Sequence, residues 1–157
     1  TVEIAVNGPI YKVTTDEQGR AGLKVNLAIA NTYTYALSFS GDSVYNPAAL
    51  ASSKLTVTEK PITIVAKDQS FSASASTKKV KITLKTSANP YDGKTYMSPQ
   101  KVSVTVNGKT YSRTTDSKGN VNINVKLTKK GTYTATIKYK GNGIYSSATK
   151  KIKLTIK

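Results

Sequence analysis

The chain contains no cysteine, no histidine and no tryptophan among its 157 residues. Without cysteine it can form neither a disulfide framework nor a thiolate metal site. Without histidine it lacks the usual general base at neutral pH and the commonest neutral metal ligand. No apolar run approaches the roughly 18 residues that a membrane-spanning helix requires. The sequence therefore argues against an enzyme and against a cofactor-binding protein.

Acidic residues are scarce, since 8 of them oppose 24 basic ones and leave a net charge of +16. Residues 1–58 contain as many acidic as basic residues, so residues 59–157 carry the whole excess. This difference predicts two units, one neutral and one basic. Only the basic unit can attract polyanions over a distance.

The sequence contains an internal repeat. Residues 1–48 match residues 101–148 without a gap, and after a one-residue deletion "KLTVT" at 54–58 matches "KLTIK" at 153–157. Residues 61–100 have no counterpart in the first unit. The 17 identities fall at Val2, Val6, Asn7, Gly8, Tyr11, Thr14, Thr15, Asp16, Gly19, Val25, Leu27, Thr32, Tyr33, Thr34, Gly41, Tyr45 and Ala48. A repeat of this kind predicts one structural unit used twice.

Apolar and polar residues alternate with a period of two through both units, which is typical of half-buried strands. "KVKITLK", "KVSVTVN", "VNINVKL", "TYTATIKYK" and "KIKLTIK" show it most clearly in the second unit, and a first strand runs from Ile62 to Ala66. About seven short strands with frequent turn signals favour an all-β, antiparallel Ig-like sandwich. We expect residues 59–157 to form a complete sandwich, and residues 1–58 to form a partial one with strands C to G.

The stretch "VNGKTYSRTTDSKGN" (106–120) repeats the skeleton of "VNGPIYKVTTDEQGR" (6–20). An Asn-Gly pair between two strands is a strong hairpin signal, because both residues tolerate a positive φ. The following aspartate can accept backbone N–H groups in an Asx turn that the second glycine closes. The stretch is thus predicted to have a structural role, and not a catalytic one, in both units.

These motifs resemble the Ig-like repeat domains of large bacterial and archaeal surface proteins, most closely the adhesin-like proteins of methanogenic archaea. The resemblance is carried by "GTYT" at 131–134 and "YKGN" at 139–142 with Tyr145, and by "TYT" at 32–34 and "FSGD" at 39–42 with Tyr45. It implies an extracellular location at the cell surface or cell wall, in a stalk or fibre of stacked sandwiches. No active-site residues carry over from this family.

Other sites receive little support from the sequence. Calcium requires clustered carboxylates, and only Asp16 with Glu17, and Asp42 farther along, come near that pattern. A lysine–asparagine isopeptide bond requires a buried lysine beside a carboxylate, for which Lys67 with Asp68 is the best pair. No catalytic residue, cofactor or metal site is predicted.

Two groups of residues are candidates for contact with a partner. The outward lysines of the basic unit favour an anionic surface: Lys79, Lys81, Lys138, Lys140, Lys151 and Lys153. Tyr91 and Tyr96 lie in a long polar loop of the second unit, where a binding role is more common than in short connections. The other tyrosines, among them Tyr33, Tyr45, Tyr133, Tyr139 and Tyr145, are expected in the core or at strand corners. Nucleic acid is disfavoured because the aromatic residues do not alternate with the lysines.

Three functions remain open at this point. The first is a structural or adhesive segment of a cell-surface protein, in contact with neighbouring Ig-like repeats of the same or another chain. The second is a binding module for an anionic cell-wall polymer or another cell's surface, and the third is a subunit whose open face accepts a strand from another copy. The first unit lacks strands A and B, so its apolar face needs completion either by a preceding segment or by another chain.

Overall fold

The computed structural model describes residues 1–89, 93–95 and 97–157. These residues contain no helix long and apolar enough to cross a membrane. The chain divides into two units, Thr1–Glu59 and Lys60–Lys157. The strands are β1 (Val2–Val6), β2 (Ile10–Val13), β3 (Asn31–Phe39), β4 (Ala48–Val57), β5 (Ile62–Val65), β6 (Gln69–Phe71), β7 (Lys78–Thr86), β8 (Lys101–Val106), β9 (Lys109–Thr114), β10 (Asn120–Val125), β11 (Gly131–Tyr139) and β12 (Ala148–Ile156).

The second unit is an Ig-like sandwich of two sheets. One sheet has the order β10-β7-β5 and the other has the order β6-β12-β11-β8-β9. All neighbouring strands are antiparallel except β6 and β12, which are parallel. The alternating apolar residues of both sheets meet in one hydrophobic core, in which Val80, Leu84, Ile137 and Leu154 are at most 1% exposed. The predicted all-β sandwich is therefore confirmed for this unit.

The chain changes sheets between β5 and β6, and one side chain closes the gap that this leaves. After Val65 the backbone leaves β7 and pairs with β12, so β7 has β10 on one side at Lys81 but no longer has β5 on the other. The Gln69 amide replaces that partner: its Oε1 accepts from the Lys81 N–H at 3.0 Å, and its Nε2 donates to the Lys81 carbonyl at 3.2 Å. An unpaired backbone group at a sheet edge is thereby satisfied.

The first unit is a single sheet with the order β2-β1-β3-β4, and all of its pairs are antiparallel. It corresponds to the β9-β8-β11-β12 part of the second unit. Between the pairs Tyr35↔Ser53 and Leu37↔Leu50, β4 contains one residue more than β3 opposite it. This β-bulge lies where the sequence match between the units requires the one-residue deletion.

The first unit does not keep every strand from C to G, which corrects the sequence prediction. Residues 21–28, which match β10, adopt no strand although Leu23, Val25 and Leu27 alternate. In the second unit β10 pairs with β7, and the first unit has no counterpart of β7. A strand needs a partner for its N–H and C=O groups, and period-two alternation alone does not supply one.

The same lack leaves apolar side chains of the first unit in water. Leu37 is 37% exposed and Leu55 is 42% exposed, whereas their equivalents Ile137 and Leu154 are both 0% exposed. Leu37 and Leu50 line an open apolar pocket of about 350 Å³ on this face, together with Val2, Ile4 and Phe39. The open apolar face expected from the sequence is therefore present.

Candidate functional site

The residues that the two units share hold turns. Asn7 and Asn107 have φ values of 50° and 49°. Asn107 is the first of two loop residues between the paired Val106 and Lys109, and Asn7 takes the same place inside the hydrogen bond from the Val6 N–H to the Pro9 carbonyl at 2.9 Å. Asp116 Oδ1 accepts the backbone N–H groups of Lys118 at 2.9 Å and Asn120 at 2.8 Å. Asp16 makes the equivalent bonds to residues 18 and 20. Both predicted Asx turns are confirmed, so these aspartates have a structural role.

Backbone donors also set the electrostatics of these turns. The Asn120 N–H is the main reason that the pKa of Asp116 lies below its ordinary value; desolvation opposes it and the Lys118 N–H adds to it. The N–H groups of Val44 and Tyr45, in that order, lower the pKa of Asp42 in the same way. Carboxylates that accept N–H groups are stabilised in the charged form.

The tyrosines are mostly structural, as predicted. The Tyr133 hydroxyl donates to the Lys129 carbonyl at 2.9 Å, and the Tyr33 hydroxyl donates to the Ile29 carbonyl at 2.8 Å. Tyr139 and Tyr145 are 3% and 6% exposed. Tyr45 departs from the prediction because it is 68% exposed, since its unit has no second sheet to cover the ring. Tyr91 and Tyr96 lie outside the described residues.

The six candidate lysines do not share one surface. Lys79 and Lys81 are exposed on β7, in the three-stranded sheet, whereas Lys138, Lys151 and Lys153 are exposed on β11 and β12, in the five-stranded sheet, and Lys140 follows β11 directly. The inward sides of the two sheets form the core, so the outward lysines point to opposite sides of the sandwich. The structure therefore separates two basic faces.

The face of the five-stranded sheet contains a groove of about 470 Å³ across β8, β9 and β11. Three lysines line it, Lys101, Lys138 and Lys140, and so do three residues with hydroxyl groups, Ser103, Thr110 and Ser112. Strand register places these side chains together, because Ser103 lies opposite Lys138 on one side and Ser112 on the other. Cations and hydroxyl donors in one concavity can hold an oxyanion.

A buried polar network forms the end of this groove. Gln100 is 6% exposed, and its Oε1 accepts from the Tyr139 hydroxyl at 2.9 Å and from Asn142 Nδ2 at 3.3 Å. Its backbone N–H donates to Thr115 Oγ1 at 2.9 Å, and its Nε2 donates to Ser98. Asn142 Oδ1 accepts two backbone N–H groups of the next turn, as Asp42 Oδ1 does in the first unit. Asn142 can also donate to Gln100, because its side chain is an amide and that of Asp42 is a carboxylate.

Sequence reasoning missed two buried residues of the second unit. Gln100 precedes the matched region and has no counterpart in the first unit, so the repeat comparison could not find it. Lys78 is 4% exposed, contrary to the outward alternation of the other lysines, and its Nζ donates to the Ala75 carbonyl at 2.8 Å and to the Ala73 carbonyl at 3.4 Å. Its signal is its place at the start of β7, in phase with Val80 and Ile82.

The pair considered for an isopeptide bond lacks the environment that the reaction requires. Lys67 is exposed, and Asp68 Oδ1 accepts the backbone N–H of Lys153 at 2.8 Å. The described part of the chain contains no group of three acidic residues that could hold a metal ion. Asp68 instead fixes the crossing between β5 and β6 against β12.

No model of a known protein family matches the chain, and no curated protein sequence matches it significantly. Three solved structures resemble it over 99% of its length. The first, from a 1.5-MDa bacterial ice-binding adhesin studied for host cell surface retention, has 18% identity, a TM-score of 0.39 and 53% of its own chain covered. The second, of the fibronectin(III)-like modules of Clostridium thermocellum CbhA, has 14% identity, a TM-score of 0.42 and 77% covered.

The third structure is of a Ca²⁺-stabilized adhesin that helps an Antarctic bacterium reach out and bind ice. It has 16% identity, a TM-score of 0.35 and 40% of its own chain covered. This chain thus spans about half the length of the first structure that it resembles.

Proposed function

We propose that the chain is a non-catalytic structural and adhesive segment of an extracellular cell-surface protein, in which tandem Ig-like units of residues 1–58 and 59–157 provide reach and contact. From the resemblance noted in the sequence, we further propose that the parent protein is similar to the adhesin-like proteins of methanogenic archaea. Neighbouring Ig-like repeats and the anionic surface of a cell wall or another cell are the proposed partners.

One observation supports this proposal most. Polar side chains that are identical in the two units hold turns and corners, such as Asp16 with Asp116 and Tyr33 with Tyr133. Outward side chains differ instead, since Lys138 and Lys140 replace Ser38 and Ser40. A catalytic site used twice would keep its exposed reactive residues, whereas a scaffold keeps its turns and changes its surfaces.

Sedimentation of the labelled chain with purified cell envelopes tests the adhesive part. Saturable binding that weakens as ionic strength rises is expected, because exposed charges are screened by salt. No binding at any salt concentration would contradict adhesion and leave only a spacing role.

The open apolar face of the first unit favours a second candidate, a filament subunit whose first unit accepts a strand from another copy. Apolar residues of this face that are 37–45% exposed would be covered in such an assembly: Leu37, Leu50 and Leu55. Native mass spectrometry distinguishes the two candidates. Open-ended oligomers support strand donation, and monomers at all concentrations exclude it.

A further inference from the structure

We propose that the groove across β8, β9 and β11 of the second unit binds the oxyanion groups of a hydroxyl-rich polymer, that is, a glycan or polyol chain bearing phosphodiesters or carboxylates. This inference rests on the proposed adhesive function and names the surface and the ligand class. We do not place the site on the other basic face, because the concavity around Lys79 and Lys81 is also lined by Asp68, a carboxylate.

The lining of the groove fits this ligand. Lys101, Lys138 and Lys140 contribute positive charge, and none of the described residues that line the groove has a carboxylate side chain. The ion pair in the described part of the chain is Lys12 with Glu3, so none of these three lysines is paired there. Like charges gathered in one groove repel each other, and a bound oxyanion would relieve that repulsion. The Ser112 hydroxyl group can donate to an oxygen of the anion. Ser103 Oγ donates to the Lys138 carbonyl at 3.3 Å and Thr110 Oγ1 bonds to Thr105 Oγ1 at 2.8 Å, so these two oxygens can still accept from the hydroxyl groups of the polyol.

The first unit shows that the fold does not require this arrangement. Its β1, β2 and β3 have the same register as β8, β9 and β11. Glu3 of β1 lies between Ser38 and Lys12, and the equivalent Ser103 of β8 lies between Lys138 and Ser112. At the position of Ser103 the first unit has Glu3, and its carboxylate forms an ion pair with Lys12, with Oε1 and Nζ 3.6 Å apart. Two serines, Ser38 and Ser40, replace the two lysines. The chain thus contains the same surface with and without the cationic groove.

The groove is also preformed. Its end rests on the buried Gln100, which is held by Tyr139, Asn142 and Thr115. A rigid floor lowers the entropic cost of binding, because fewer side chains must be ordered when the ligand arrives. The first unit has no equivalent of this network, since Phe39 replaces Tyr139 and lacks a hydroxyl group.

The lining favours a glycan or polyol over a nucleic acid. Binding of single-stranded nucleic acid relies on exposed aromatic rings on which bases stack. Among the described residues that line the groove, the aromatic one is Tyr139, which is 3% exposed and donates its hydroxyl group to Gln100. The described part of the groove therefore offers bases no exposed ring on which to stack.

The test compares two variants of the full chain that lose the same charge. Lys138→Ser with Lys140→Ser gives the groove the residues of the first unit, and Lys79→Ser with Lys81→Ser removes two lysines from the other sheet. Binding is measured by titration calorimetry against poly(glycerol phosphate), polygalacturonate, neutral dextran and single-stranded RNA, over a range of salt concentrations. Thermal unfolding checks that both variants remain folded.

We expect the groove variant to bind an anionic glycan or polyol at least about tenfold more weakly, with a salt slope lower by roughly 1 to 2, and the control variant to change less than about threefold. The tighter of the two anionic polymers identifies the anion as phosphodiester or carboxylate. Equal losses in both variants would refute the groove while leaving binding by the basic unit intact. Binding to cell envelopes without binding to either anionic polymer would refute the ligand class and leave the adhesive function standing. RNA binding that is as tight and equally dependent on the groove would also refute the ligand class.

Discussion

Gly119 packs against the backbone carbonyl of Leu84, and the Leu84 N–H donates to the Gly119 carbonyl at 2.9 Å. A Cβ at residue 119 would approach the Leu84 oxygen closer than 3.0 Å, a distance that real Cβ atoms essentially never show. Gly19 has the same positive φ and nothing within 4 Å of its Cβ position. The contact therefore exists only where the second sheet is present.

This pair gives a matched test of the sandwich. Gly119→Ala is expected to destabilise the second unit by roughly 3 kcal/mol, from the left-handed backbone at about 1–2 kcal/mol and the displaced strand at about 1–3 kcal/mol. Gly19→Ala should leave the unfolding transition of the second unit unchanged. Urea unfolding followed by circular dichroism measures both, and equal shifts would contradict the contact with Leu84.

Leu154 and Leu55 test the burial difference in the same way. Leu154→Ala should lower the free energy of unfolding by about 2–5 kcal/mol, because a fully buried leucine leaves a cavity. Leu55→Ala should change it by less than about 1 kcal/mol, because Leu55 is 42% exposed and a surface change costs little. A large loss from Leu55→Ala would mean that the first unit's apolar face is covered in solution.

The apolar face of the first unit can also be detected with a hydrophobic dye. We expect 1-anilinonaphthalene-8-sulfonate to fluoresce with the native chain, and Leu37→Ser with Leu50→Ser to reduce the signal, since both residues line the apolar pocket. Val44→Ser is the control, because Val44 is 76% exposed but does not line that pocket. Equal signals from all three proteins would contradict the open face.

The sequence predicted those parts of the fold in which local pattern and pairing agree. Alternation located the strands of the second unit, and "TTDSKGN" gave the Asx turn around Asp116 because the side chain bonds to its own backbone neighbours. Residues 21–28 were predicted wrongly because their alternation is intact while their partner strand is missing. Gln100 was missed because its burial depends on Thr115, Tyr139 and Asn142, which are distant in the sequence. Lys78 was missed although its phase with Val80 and Ile82 places it on the inward side of β7.

The sequence also predicted only that part of the candidate site which depends on local pattern. Alternation correctly placed the lysines outward, but sequence spacing cannot say which sheet a strand joins. The separation of Lys79 from Lys138 and the meeting of Lys101 with Lys138 are consequences of strand order.

Acid should weaken the second unit through Asp116. The folded-state pKa of Asp116 is lowered, so its stabilising contribution is complete above the unfolded-state pKa of about 4 and is lost as pH falls through the lower folded-state value. Asp116→Asn keeps an acceptor oxygen and should remove this part of the pH dependence. NMR titration of the Asp116 carboxyl group measures its folded-state pKa. An ordinary value would contradict the stabilisation of the carboxylate by the backbone N–H groups of the turn.

The parallel pairing of β6 with β12 has a mechanical consequence. β6 lies near the start of the second unit and β12 lies at its end, so tension applied through the two ends pulls these neighbours in opposite directions along their length. Their hydrogen bonds are then loaded in shear and must break together, whereas a hairpin such as β8–β9 can be peeled open one bond at a time. The single sheet of the first unit has only antiparallel pairs and no such clamp, so under tension it should yield first.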